Sequence, residues 1–228
     1  MMTLSRRLFL ALPAAAAAAG IVRPAFAMSD AQQLVEKARL AFLDMITDDN
    51  YKEMRDYVKQ SRALVIFPEL IKGAFIIGAE GGSGVLVTRG AAGQGWSYPA
   101  FYTLASGSLG LQIGAKVSEI VFIIRTEKGL NAILDHKFKF GAEGGVTLVA
   151  VGIGIEGGST TAGGADIVAF GNSAGLFAGV SLEGSYLDAD SDWNALYYGQ
   201  GATTKAIVLD RRYTNPGAEP IRQYLAQW

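Results

Sequence analysis

The sequence predicts an α+β domain: a strongly curved, mainly antiparallel, glycine-rich β-sheet, barrel-like in its curvature, with an N-terminal helical hairpin and a C-terminal helix. Three observations lead there. Apolar residues recur at helical spacing between Ser29 and Val58; from Ala63 onward short β-branched or aromatic runs are broken by glycine and proline; and Ile221, Tyr224, Leu225 and Trp228 share one helical face at the end of the chain. Glycine supplies 29 of 228 residues, nearly double the usual ~7%. Half of the residues are apolar, which separates this chain from a flexible linker protein.

The first 27 residues are expected to be an export signal and stand apart from the fold. Arg6 and Arg7 precede Leu8-Phe9-Leu10 and an alanine-rich run from Ala11 to Ala19, and Ala25-Phe26-Ala27 offers the small residues a signal peptidase reads. The paired arginines resemble a twin-arginine signal. Removing this segment takes away Arg6, Arg7 and Arg23 and no acid, so the remainder from Met28 carries 17 basic and 21 acidic residues, a net charge of −4. The expectation is a single domain over 28–228, exported to the periplasm and at most peripheral to a membrane face.

In the domain, Ser29 followed by Gln32 has the spacing of a capping box. Leu34, Val35, Ala38, Ala41, Phe42 and Met45 form the apolar stripe of a first helix; Asn50 and Glu53 open a second, with Tyr51, Met54 and Val58 inward. Strands are predicted at 63–67, 74–78, 85–88, 96–104, 109–116 and 117–124, a short helix at 127–134, then strands at 137–140, 146–155, 166–170, 176–186 and 206–209. Along 146–155 one face shrinks through Ala150 to Gly152 and Gly154. A strand thinned in this way favours close approach or a bend. Gly78-Ala79-Glu80-Gly81-Gly82 recurs as Gly141-Ala142-Glu143-Gly144-Gly145, which suggests two related halves.

Composition removes several functions. Without cysteine there is no thiol nucleophile, disulfide framework or thiolate metal site, and a single histidine, His136, forbids a His-rich centre within one chain. Near-zero charge argues against nucleic acid as a partner. Gly171-Asn172-Ser173-Ala174-Gly175 has the letters of a nucleophile elbow, but that site needs its His downstream, and His136 lies upstream. Gly152-Ile153-Gly154-Ile155-Glu156-Gly157 imitates a dinucleotide fingerprint without the helix that must follow. Asp188, Asp190 and Asp192 look like the start of a calcium loop, yet Trp193 stands where the turn glycine belongs and Gly199 where the bidentate Glu belongs. The favoured reading makes Asp192 the cap of a short helical segment, 193–197. Glu143 and Glu156 are the remaining carboxylates that folding could bring together as a pair. No catalytic residue, cofactor or metal follows from these motifs.

Taken together, Ala63-Leu64-Val65-Ile66-Phe67-Pro68, Lys72-Gly73-Ala74-Phe75-Ile76-Ile77-Gly78, Gly82-Ser83-Gly84-Val85-Leu86, Gly95-Trp96-Ser97-Tyr98-Pro99-Ala100-Phe101 and Gly107-Ser108-Leu109-Gly110-Leu111-Gln112-Ile113-Gly114 resemble the SYLF family. The block from Ser173 to Ser185, with Asn194 and Tyr197-Tyr198-Gly199, carries the same resemblance. This family is also called the yeast-type actin-binding domain. The resemblance implies a non-enzymatic domain that binds phospholipid or another acyl-chain ligand. Actin, a partner of some eukaryotic members, is not expected for an exported protein. Lys72, Arg89, Lys116, Lys137 and Lys139 flank predicted strand ends and are the candidate lipid-binding residues. The alternative reading is a structural or protein-interaction role in the cell envelope. The sequence sets no oligomeric state.

Overall fold

The computed structural model describes residues 29–75, 77–91, 94–109, 114–135, 137–142, 145–152, 164–172, 182 and 184–228, with backbone alone at 72–75, 77–80, 106–109, 114–116 and 152. Residues 1–27, where an export signal is expected, and His136, Glu143, Glu156 and Ser173 lie outside the described residues.

Eight strands form one sheet: β1 (Ala63–Phe75), β2 (Ile77–Thr88), β3 (Ala100–Leu109), β4 (Gly114–Ile124), β5 (Phe138–Lys139), β6 (Leu148–Gly152), β7 (Ile167–Gly171) and β8 (Tyr186–Ala189). Their order is β5-β8-β3-β2-β1-β4-β7-β6, and the sheet curls into a half-barrel. β6 and β7 run parallel; every other described pair is antiparallel. β1, β2 and β3 form a meander, and β4 returns to the free side of β1. Among the described residues six α-helices accompany the sheet: α1 (Asp30–Thr47), α2 (Met54–Lys59), α3 (Glu127–Asp135), α4 (Ser191–Tyr198), α5 (Thr204–Val208) and α6 (Glu219–Leu225).

The middle of the sheet is covered on both faces. On one side Leu64, Ile66, Val85, Val87, Phe101, Val121, Ile123 and Val168 pack with α1, α2 and α6. On the other, Val65, Phe67, Leu86, Tyr102, Ile120, Phe122 and Ile167 pack with α3, α5 and Phe138 and Phe140. This explains why Ala63–Phe67 and Ile120–Ile124 are unbroken apolar runs: strands buried on both faces lose the inside–outside alternation.

The helices at 127–135 and 219–225 and the buried stripe of α1 stand where the sequence places them. Other elements differ, each for a local reason. Ser29 Oγ accepts from the Gln32 amide at 3.2 Å, but the Gln32 side chain does not return the bond. Its Nε2 donates to the Gly217 carbonyl, and its Oε1 accepts from the Tyr197 hydroxyl, so α1 is tied to α4 and to the turn before α6. The second helical start falls to Asp48, which caps a 3-10 turn (Asp49–Tyr51) ahead of α2. The run 74–78 is the folded-back end of the β1–β2 hairpin, where Phe75 pairs with Ile77. Of the run 109–116, Leu109 ends β3 and 114–116 open β4, while 110–113 lie outside the described residues.

The segment expected as a strand at 206–209 is helical. Thr203 Oγ1 caps it through the Ala206 amide, and Ala206, Ile207 and Val208 are all buried, so three successive apolar residues imitate a β run. The cap of α4 is Asp190, two residues earlier than Asp192. The described parts of the pentapeptide echo differ: 78–82 lies inside β2, whereas Gly141 and Ala142 form a turn after β5.

Candidate functional site

A one-residue irregularity in β1 determines which side chains reach the surface at one end of the sheet. Ile66 pairs with Val85, but Ile71 pairs with Gly81, so β1 spends one more residue than β2 over the same distance. The ladder to β4 repeats this: Phe67 opposes Ile120, then Leu70 opposes Ser118. Pro68 and Glu69 form the resulting bulge, a position where the missing proline amide is tolerated. Glycine is required beneath it. A Cβ on Gly82 would overlap the Glu69 carbonyl, and one on Gly84 would lie 2.5 Å from the Ile66 oxygen and 2.6 Å from the Phe67 ring. Because the bulge resets alternation, Phe67 and Leu70 enter the same core, and Ile71 emerges on the α1 side.

Ile71 stands in a row crossing six strands. Lys139 pairs with Tyr186, Tyr186 with Ala105, Ala105 with Gly81, Gly81 with Ile71, and Ile71 with Val117. Paired residues share a sheet face, and six strands span about 24 Å. Val117 is 63% exposed, Ile71 56% and Tyr186 37%, and Ala105 is exposed as well. Among the described residues the helical layer ends here. α1 meets the row through Leu34 and Lys37, which with Ile71, Gly82 and Trp193 line a cleft of about 390 Å³. Two residues further along the same strands, the register holds Ala115, Gly73, Ala79 and Gly107; two further still, Phe75, Ile77 and Leu109.

The row is cationic at one end. The Lys137 and Lys139 ammonium groups lie 5.0 and 5.1 Å from the Tyr186 ring centroid, within cation–π range. Lys137 also approaches Asp188 at 3.7 Å, with both side chains about half exposed. Past the other end, Glu119 accepts from Asn172 Nδ2 at 2.6 Å. Burial raises its pKa above the ordinary carboxylate range, the nearby Asp44 and Glu69 charges add to the rise, and the Asn172 bond opposes it.

The profile of the family described as "Ysc84: Las17-binding protein actin regulator" matches residues 105–228. The chain belongs to this family. Its SYLF resemblance and the Ysc84 domain are the same assignment. The chain is 31% identical over 173 residues to LAS seventeen-binding protein 3 of Saccharomyces cerevisiae, covering 75% of this chain and 37% of that protein. It is 30% identical over 171 residues to Protein YSC84 of the same organism, covering 74% and 36%. With human SH3 domain-containing YSC84-like protein 1 the identity is 33% over 169 residues, covering 74% and 49%. This Ysc84-family chain thus spans between about a third and a half of the length of these relatives.

Against that family background the five candidate residues separate. Lys137 and Lys139 meet over Tyr186. Lys72 and Lys116 occupy directly opposed positions of β1 and β4, one step beyond Ile71 and Val117. Arg89 is elsewhere and internally engaged. Its guanidinium donates to the Val58 carbonyl at 2.9 Å and the Ser61 carbonyl at 3.2 Å, and it stacks over Trp96. Burial lowers its pKa. It joins the end of α2 to the sheet. The three aspartates of the calcium-like loop also divide. Asp190 accepts from the Trp193 amide and the Thr103 hydroxyl, while Asp188 faces Lys137. Ile71, Val117 and Tyr186 were not among the sequence candidates; the signal that could have found them is the Pro68 bulge read together with the strand register.

Proposed function

We propose that this chain is a non-enzymatic lipid-binding module that meets phospholipid bilayers at the exposed row Val117–Ile71–Gly81–Ala105–Tyr186. The observation carrying this reading is the Ile71–Val117 pair, open to solvent on a sheet whose middle is covered on both faces. An apolar strip next to cationic side chains combines chain burial with headgroup attraction. Among the described residues no helix is long and apolar enough to cross a membrane, and the proposal is accordingly peripheral contact. The export segment 1–27 supports action outside the cytoplasm, at a periplasmic membrane face. Sedimentation of the purified chain with phosphatidylcholine vesicles, with and without phosphatidylglycerol, tests the reading. Co-sedimentation is expected; protein that stays in the supernatant with both overturns it.

The names of the relatives support a second reading, in which the domain binds protein. Capture of a partner by lipid-free protein, including filamentous actin in a co-sedimentation assay, would favour it over the bilayer.

A further inference from the structure

We propose that the cleft between α4 and α5 binds a short peptide segment of a partner protein, with a lysine of that segment against Asp192 and an aliphatic neighbour against Leu196.

The cleft, of about 810 Å³, shares no residue with the row of Ile71 and Val117. The inference is therefore independent of the membrane reading and is a narrower form of the protein-binding one. α4 forms one wall. Gly199 and Gly201, both with positive φ, turn the chain back so that residues 200–204 form the other. The floor is fixed from two sides. Asn194 is buried; its Oδ1 accepts from the Phe101 amide at 2.9 Å, and its Nδ2 reaches the Thr204 hydroxyl at 3.4 Å. α4 is thereby tied to β3 and α5, and a preformed cleft loses less freedom on binding.

The lining selects the occupant. Among the described residues its charged side chain is Asp192, the aspartate that neither caps α4 nor meets Lys137, and it has no cationic partner there. A negative wall repels phosphate groups and attracts an ammonium group. A lone carboxylate is too few ligands for a metal ion, and no metal-binding cluster exists among the described residues. No described aromatic side chain lines the cleft, so a sugar ring has no face to stack on. Leu196, 68% exposed, offers aliphatic contact, and the small Ala195, Gly201 and Ala202 leave room for an extended main chain. The second Asn194 amide hydrogen has no acceptor among the described residues. Exposed Ser191 and Gln200 can each donate and accept, which matches the alternating amides and carbonyls of a peptide.

Selection of a randomised hexapeptide library, displayed on phage, by the immobilised full chain tests this. Enrichment of lysine beside leucine, isoleucine or valine is expected. The enriched peptide, synthesised, should bind about 5-fold more weakly to Asp192→Asn and about 5-fold more weakly to Leu196→Ser. Asp192→Glu should retain binding, and acetylation of the peptide lysine should reproduce the loss seen with Asp192→Asn. Enrichment without a basic residue, or equal binding by the parent and Asp192→Asn, overturns the proposal. Displacement of the peptide by an equal concentration of spermidine would reassign the cleft to free polyamines and overturn the peptide. A parent that sediments with filamentous actin yet enriches no lysine peptide loses this cleft and keeps the broader protein-binding reading.

Discussion

Ile71 stands opposite Val117 across β1 and β4 with more than half of each residue exposed, whereas Ile66 and Val121, paired on the same face of the same strands, are completely buried. The chemistry of the two pairs is alike; only the helical cover differs. Ile71→Ser with Val117→Ser should weaken vesicle binding by about 2 kcal/mol, from roughly half a side-chain burial at each position. Because neither residue is in the folded core, the thermal midpoint should stay within a degree or two of the parent's, on the order expected for surface changes. Loss of vesicle binding with an unchanged melt is the expected pair of results.

Asp166 joins α3 to the β6–β7 edge. Burial alone would raise its pKa, but the Thr126 hydroxyl, the Thr147 amide and hydroxyl and the Lys128 ammonium all donate to it and hold it well below the usual range. A depressed carboxylate contributes stability that is complete above its unfolded pKa and lost as pH falls through the folded one. Asp166→Ala should cost about 3 kcal/mol at neutral pH. The difference from the parent should narrow as pH falls below about 4, read as urea midpoints.

Glu119 has the opposite sign. Its raised pKa means that the native state takes up a proton more readily than the unfolded chain, so this contribution falls as pH rises from about 4.3 through the folded value. Glu119→Gln should stabilise the protein at neutral pH by less than about 1 kcal/mol, given its partial exposure. It should also flatten the pH dependence in that window, as measured by denaturant melts from weakly acid to neutral buffer.

Gly82→Ala should be among the more damaging single methyl additions in the sheet. The new Cβ meets backbone, the Glu69 carbonyl, which cannot swing aside as a side-chain tip would. Displacing the bulge should cost about 2 kcal/mol or more. Gly164→Ala, where a Cβ meets nothing within 4 Å, is the matched control.

Much of the architecture was legible because local signals and tertiary packing agreed. The stripe of α1, the helix at 127–135 and the apolar runs of β1 and β4 all follow from periodicity and punctuation. α5 was misread because Ala206-Ile207-Val208-Leu209 is short, apolar and partly β-branched, and a single capping threonine decides the outcome. Gln32 was placed in a local box because its partners, Gly217 and Tyr197, are distant in sequence. The exposed row was illegible for a related reason. Its members come from six strands, and their common face depends on register and on the bulge, which no window of residues contains. Lys137 and Lys139 were visible as strand-end cations; their convergence on Tyr186 needed the β5–β8 pairing.

The extra residue at Pro68–Glu69 acts as a parity bit for the exposed end of the molecule. Draw the bulge out into regular strand with no residue removed and every position beyond it changes sides: Leu70 comes opposite Gly81, and Ile71 turns to the other face. Deleting one of the two bulge residues instead leaves a regular ladder in which Ile71 still meets Gly81 and Val117. The outward chemistry of this end therefore rests on how one surplus residue is stored, and the core before the bulge keeps its pairing in either case.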